Sequence, residues 1–234
     1  MASEKFKVII EKNGPYAVSG GLPLSKEIIG TDKDGNSVKW IKGEKYPDKN
    51  AYLLCRCGRS GKKPYCDNTH LDIGFDGTET ATRKKYFEQA EKISGPGIDL
   101  ADAEELCAGV RFCHNKDGRV WDLTRDSDNP KSKEIAIKQA CNCASGRLVA
   151  CDKAGNQIEP HHEPSISLVE DPEAKASGPI WLKGGIPLES ADGTKYETRN
   201  RVTLCRCGKS GNKPFCDSTH VSVKFRDGDK SVEE

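Results

Sequence analysis

No stretch of this chain approaches the ~20 consecutive apolar residues that a membrane-spanning helix needs, so no segment is expected to cross a bilayer. An excess of charge of one sign is also missing. With 37 Lys and Arg against 36 Asp and Glu the net charge is +1, which excludes the basic footprint of a nucleic-acid-binding domain. There is no G-x-G-x-x-G before a helix and no P-loop, which argues against an independent nucleotide-dependent enzyme. The opening residues, Met1 to Val8, lack the apolar segment of a secretory leader, and the 11 cysteines are odd in number. A disulfide framework is therefore disfavoured and a reducing cytoplasm is expected. Apolar residues are scarce as well, at 35%, with aromatics at 6%. The expected core is modest, ligated metal is expected to supply part of the folding free energy, and the metal-free chain is expected to be loose.

What the chain does contain is a repeated ligand set. The run from Cys55 to His70 recurs almost unchanged from Cys205 to His220. Each copy reads C-x-C-x8-C-x3-H, which offers three thiolates and one imidazole: Cys55, Cys57, Cys66 and His70, then Cys205, Cys207, Cys216 and His220. Cysteines one residue apart on a glycine-rich turn can aim both sulfurs at one metal. Cys66 and His70 lie four apart, as do Cys216 and His220, and would share a face if a helix begins there. Asp67 and Asp217 are the expected N-caps, with Pro64 and Pro214 just upstream. The set suits a two-iron cluster. Structural zinc takes the same ligands, but its paired cysteines usually have two to four residues between them, where these have one. A Cys/His nucleophile would need one activated cysteine and an oxyanion site, not two copies of a four-ligand spacing.

These residues resemble the CDGSH iron-sulfur domain, the mitoNEET-like or NEET family, in a tandem-motif, prokaryotic-type arrangement. Its pattern is matched at Cys55, Cys57, Ser60, Pro64, Cys66, Asp67, Thr69 and His70, and at Cys205, Cys207, Ser210, Pro214, Cys216, Asp217, Thr219 and His220. Asn68 and Ser218 stand where the family has glycine. The resemblance implies that Ser60, Asp67, Ser210 and Asp217 help to bind the cofactor and that each ligand set holds a [2Fe-2S] cluster. Family members with one motif pair two chains and exchange strands. Two motifs in one chain therefore imply a pseudo-dimer built in cis, and a protein that works as a monomer.

The repeat extends beyond the ligands, because Tyr16 to Leu24 is matched by Ile180 to Leu188, and Gly14-Pro15 by Gly178-Pro179. Strands are expected over residues 5–10, 51–54, 166–169 and 202–204, and closing strands over 71–75 and 221–225. The first copy is longer around residues 30–49, a polar insert expected to be a hairpin loop. Residues 76–106 read as a connection, helix-permissive from Thr80 to Ile93. The fold class expected is mostly β with short helices, a small α+β arrangement of two repeats around an insert. The domains are 1–78, a linker 79–100, a central domain 101–155, and 156–234. His161-His162 and His114 are expected in solvent, and the last five residues frayed.

The central segment holds further cysteines. Cys107 and Cys113 have five residues between them, a strand is expected at Val120 to Leu123, a helix near Ser132 to Ala140, and Cys141 and Cys143 follow. This segment resembles the divergent mono-cluster ferredoxin domain, with Cys107, Cys113 and Cys143 at its cysteine positions. Ala144 replaces a proline of that pattern, and Val110 stands where a full loop offers another cysteine. Three ligands fit a [3Fe-4S] cluster; a fourth, for [4Fe-4S], would have to be Cys141 or Cys151. The alternative is a cluster-free spacer with cysteines packed as small hydrophobes.

Replacing one thiolate by imidazole removes a negative charge and eases reduction. Imidazole also titrates where thiolate does not, so His70 and His220 are expected to couple cluster retention to pH. Arg56, Arg59, Lys62, Lys63, Arg206, Lys209 and Lys213 make the loops basic and suited to an acidic redox or apo-acceptor partner. The expected function is non-enzymatic: one-electron transfer, redox sensing or cluster transfer. The alternatives are an electron-transfer subunit of an oxidoreductase, or a zinc scaffold.

Overall fold

The computed structural model describes residues 6–232, so Lys5, Glu233 and Glu234 lie outside it. Among the described residues the chain is mostly β with five short α-helices. The first half runs β1 (Lys7–Ile10), β2 (Tyr16–Ser19), β3 (Leu24–Thr31), β4 (Ser37–Lys45) and β5 (Ala51–Leu54), then α1 (Thr69–Asp72) and α2 (Tyr86–Gln89). The central part has β6 (Glu91–Ser94), β7 (Asp99–Asp102), β8 (His114–Asn115), β9 (Gly118–Arg119), α3 (Val120–Arg125), α4 (Pro130–Cys141), β10 (Leu148–Cys151) and β11 (Gln157–Ile158). The second half returns to β12 (Ser165–Asp171), β13 (Ala176–Lys183), β14 (Leu188–Glu189), β15 (Arg201–Leu204) and α5 (Thr219–Ser222).

Each half contributes an antiparallel meander, β1-β2-β5 and β12-β13-β15, and each lends a strand to the other. The sheet orders are β14-β1-β2-β5 and β15-β13-β12-β3-β4. The loans are reciprocal: Val8 pairs with Leu188 in parallel, and Ile166 with Leu24. Gly20-Gly21 and Gly184-Gly185, all at positive φ, let the chain leave one sheet for the other after each meander strand. One core is then shared, with Val8, Ile10 and Leu54 of one half against Ile166, Leu182 and Leu204 of the other.

The sheet of the second half is buried on both faces, so β12 and β13 are covered along nearly their whole length rather than alternating. Its outer face meets the central domain: Val169 and Trp181 pack with Ala108, Val110 and Phe112. The insert at 30–49 helps to hold this contact. It is not a loop; it supplies most of the β3–β4 hairpin, whose Trp40 ring lies 4.8 Å from Phe112 and 4.9 Å from Trp181. Arg201, fully buried, donates from β15 to the carbonyls of Ala140, Cys143 and Leu148 and to the Glu159 carboxylate. The central domain is therefore tied to the second half.

Several expectations need correction. Val120 to Leu123 is helix, because Val120, Leu123 and Thr124 bury the i, i+3, i+4 stripe of α3. Residues 71–75 and 221–225 are helical turns ended by left-handed Gly74 and Lys224, with the N–H of Phe75 and Phe225 bonded back to His70 and His220 carbonyls. The span from Thr80 to Ile93 has only the four-residue α2 and part of β6, which joins the central sheet of order β11-β10-β7-β6. Of the five residues expected to fray, Lys230 to Val232 are described and are held in place, since Val232 is buried and Lys26 pairs with the preceding Asp229 at 2.5 Å. His161 is exposed, but His162 is half-buried with its ring edge against Trp181. No helix among the described residues is long and apolar enough to cross a membrane.

Candidate metal centre

Both ligand loops leave a strand and close the same way. Cys55 N–H donates to Pro64 O and Cys205 N–H to Pro214 O, each at 2.8 Å, which folds the loop back so that its later cysteine returns beside the first two. The sulfurs of Cys55 and Cys57 lie 3.8 Å apart, and those of Cys205 and Cys207 3.9 Å. Cys66 Sγ and His70 Nδ1 are 3.4 Å apart, as are Cys216 Sγ and His220 Nδ1. Each predicted quartet thus comes as two donor pairs. Among the described residues, no three His, Cys, Asp or Glu side chains gather to hold a single metal ion.

The helix reading of the last pair is revised. α1 and α5 begin only at Thr69 and Thr219, after the cysteines, so Cys66 and Cys216 are not on a helix face. Asn68 and Ser218 occupy the cap, both left-handed at φ 73° and 68°, which explains the family's glycine there. Asp67 and Asp217 stand one residue earlier and brace the loop. Asp67 accepts from the Thr69 hydroxyl and N–H and from Gly61 N–H, which hold it well below the usual carboxylate range. At Asp217 burial opposes ionisation, but the bonds from Thr219 and Gly211 outweigh it. Ser60 and Ser210 direct their hydroxyls to the carbonyls of Tyr65 and Phe215, not toward the sulfurs.

Burial pushes the Cys57, Cys66 and Cys216 thiols up. In the second pair, the Cys207 thiol bonds to Cys205; this favours the Cys205 thiolate and keeps Cys207 protonated. Backbone N–H groups approach the sulfurs, Asn68 to Cys66 at 3.4 Å and Lys209 to Cys207 at 3.5 Å. The two loops also touch. Gly58 and Gly208 are left-handed, and a Cβ on either would sit 2.6 or 2.5 Å from the carbonyl oxygen of Cys207 or Cys57. No side chain fits between them. Tyr16 reaches across the halves as well, donating to Cys205 O at 2.9 Å.

Surroundings differ. His70 is partly open and its neighbour Leu71 is 71% exposed, whereas His220 is 3% exposed. The cover is the central loop: a Cβ on Gly109 would lie 3.0 Å from the Cβ of Ser218, and Arg111 holds Asp171 with bonds of 2.6 and 2.9 Å. Burial, only partly offset by Asp171 and Asp217, pushes the His220 imidazole down to about 4. Sequence reasoning missed this cover. It also missed that Arg56 and Arg206 are buried rather than available to a partner, and that Lys63 and Lys213 donate to the carbonyls of Ser60 and Ser210.

In the central domain Cys107, Cys113 and Cys143 line one small pocket with Phe112, Arg147 and Leu148. Burial pushes the Cys113 thiol up to about 11. Arg147 is fixed by Asp102 at 2.6 and 2.9 Å. Neither proposed fourth ligand lines that pocket. Cys141 contacts Ile158 O, and Cys151 lies beside Lys92 and Asp99.

The comparisons with known proteins agree with this layout. The family model for the iron-binding zinc finger of CDGSH type matches residues 13–71 and 177–221, and the model for a divergent 4Fe-4S mono-cluster matches 93–153. No curated protein and no solved structure matches the chain. The chain thus carries two CDGSH-type iron-binding segments with a divergent mono-cluster segment between them, and is an iron-sulfur cluster-binding protein.

Proposed function

We propose that each CDGSH motif holds one [2Fe-2S] cluster, through Cys55, Cys57, Cys66 and His70 and through Cys205, Cys207, Cys216 and His220, and that the chain is a non-enzymatic carrier of single electrons or clusters. The observation that carries this reading is the arrangement of donors in twos, at 3.8 and 3.4 Å in the first motif and 3.9 and 3.4 Å in the second. Two donors for each of two metals is the demand of a two-iron centre, where a single zinc would need all four on one point. When bound, such a cluster with one imidazole ligand accepts one electron more readily than an all-thiolate one.

The chain's own groups prepare for that cargo. The buried thiols give up protons on ligation, and the N–H groups of Asn68 and Lys209 point at sulfur, where negative charge then resides. The first motif is the face offered to a partner protein. Exposed Leu71 and Ile73 supply apolar contact beside His70, and exposed Arg59 and Lys62 favour an acidic surface. Cys107, Cys113 and Cys143, with Arg147 beside them, would hold a third cluster.

The deciding measurement is a visible absorption spectrum with iron and acid-labile sulfide counted per chain, on protein purified without oxygen. About four irons indicate the two motif clusters, and about seven or eight add the central one. A colourless protein carrying zinc would overturn the reading.

A further inference from the structure

The two motifs agree at every ligand and differ immediately behind them. An arginine separates the first two cysteines of each, and both are buried, Arg56 at 1% exposure and Arg206 at 4%. Arg206 is neutralised: it donates to Glu170 Oε1 at 2.8 Å and to the carboxylate of Asp227. Glu170 is itself fully buried. Arg56, in the same place, donates only to two backbone carbonyls, Glu11 O at 3.2 Å and Gly77 O. Among the described residues it has no carboxylate partner. The cause lies in the repeat, because Gly77 follows His70 by seven residues and Asp227 follows His220 by seven. The carboxylate of Asp76, which feels Arg56, is exposed and bonded to Thr78, so solvent screens it.

A buried cation without a counter-ion favours any added negative charge nearby, and a buried cation held between two carboxylates does not. We infer that Arg56 sets the first centre apart from the second: with the same four ligands, the first takes up one electron from an external reductant at the higher potential, and the second, whose arginine is cancelled by Glu170 and Asp227, at the lower. This rests on the reading of both motifs as redox centres. Exposure acts in the same direction, since the open His70 side hydrates added charge better than the covered His220 side. Reducing equivalents therefore collect at the motif that a partner can reach.

The test is a dithionite titration of the intact chain, followed by absorption and electron paramagnetic resonance. Two separate one-electron waves are expected. His70→Cys moves only the upper wave and His220→Cys only the lower, which assigns them. Gly77→Asp restores the missing carboxylate; a Cβ there meets the flexible tip of Arg56 first, so the guanidinium can give way. It lowers the upper wave and narrows the gap. Gly77→Asn, of equal size and no charge, leaves that wave in place. Asp227→Asn raises the lower wave. Arg56→Met lowers the upper wave, and Arg56→Lys largely restores it. Coincident waves in the parent chain, or equal shifts with Gly77→Asn and Gly77→Asp, overturn the inference. Iron and sulfide counts on the same samples separate the two failures: filled sites at one potential refute only the role of Arg56, and sites without iron refute the redox reading together with it.

Discussion

The first and second CDGSH motifs hold the same ligands in the same order, yet one stands open and the other lies under a roof. His70 looks toward solvent past Leu71; His220 is closed in by Gly109 and the Arg111–Asp171 clamp. Buried arginines behind them are equally alike in sequence and unlike in company. What a motif can bind is written locally, in its spacing. How far it is covered, and what charge stands behind it, is decided by segments far away in the chain.

The largest expected effect tests that contrast at the arginines. Arg206→Met strands Glu170 and Asp227 in the interior and should cost about 3–5 kcal/mol in denaturant unfolding. Arg56→Met leaves the Gly77 carbonyl unpaired, while Glu11 O keeps its bond from Gly14 N–H, and should cost about 1–3 kcal/mol. An equal loss for both would erase the distinction. At Gly58 and Gly208, by contrast, the motifs should behave alike. Alanine at either meets a carbonyl of the other loop in a left-handed backbone, and each should lose roughly 1–3 kcal/mol or more.

Iron removal sharpens the comparison further. With a chelator in excess, iron at the first motif should leave ahead of iron at the second by roughly tenfold, the equivalent of ~1.4 kcal/mol of local opening. Gly109→Val, which forces the central loop off Ser218, should abolish that lag without changing the fast phase. Simultaneous loss in the parent chain would mean that the roof does not protect. The smallest effect concerns the left-handed caps. Ser218→Gly should stabilise by about 0.4–1 kcal/mol and Asn68→Gly by less, because asparagine already tolerates this conformation. Thermal unfolding of the two variants side by side would show the order.

Much of the site was legible because its information is short-range. The two quartets, the strands at 51–54 and 202–204 and the helix at 130–141 each depend on neighbours within a few residues. Tertiary contacts decided the rest. Val120 to Leu123 reads as a short strand, and becomes helix because its buried stripe faces the central core. The insert at 30–49 reads as polar loop, and becomes β4 and the end of β3 because β3, itself paired with β12, offers its other edge. Cys141 and Cys151 have the right chemistry for a fourth ligand and the wrong neighbours. The one overlooked signal was a difference between repeats: Gly77 against Asp227 was visible in the sequence, and acquired meaning only when both were found at a buried arginine.

The strand exchange has a consequence for how the protein is made. Val8 waits for Leu188, and Leu24 for Ile166, so neither main sheet can be completed from its own half of the chain. A ribosome releases the first ligand loop long before the strand that borders its sheet has been translated. During that interval Cys55, Cys57 and Cys66 belong to an unfinished scaffold, while the second quartet emerges when nearly everything around it is already available. Synthesis is thus a period of unequal exposure for two sets of thiols that end up as near-copies, and the order in which the chain leaves the ribosome becomes part of the chemistry of loading it with iron.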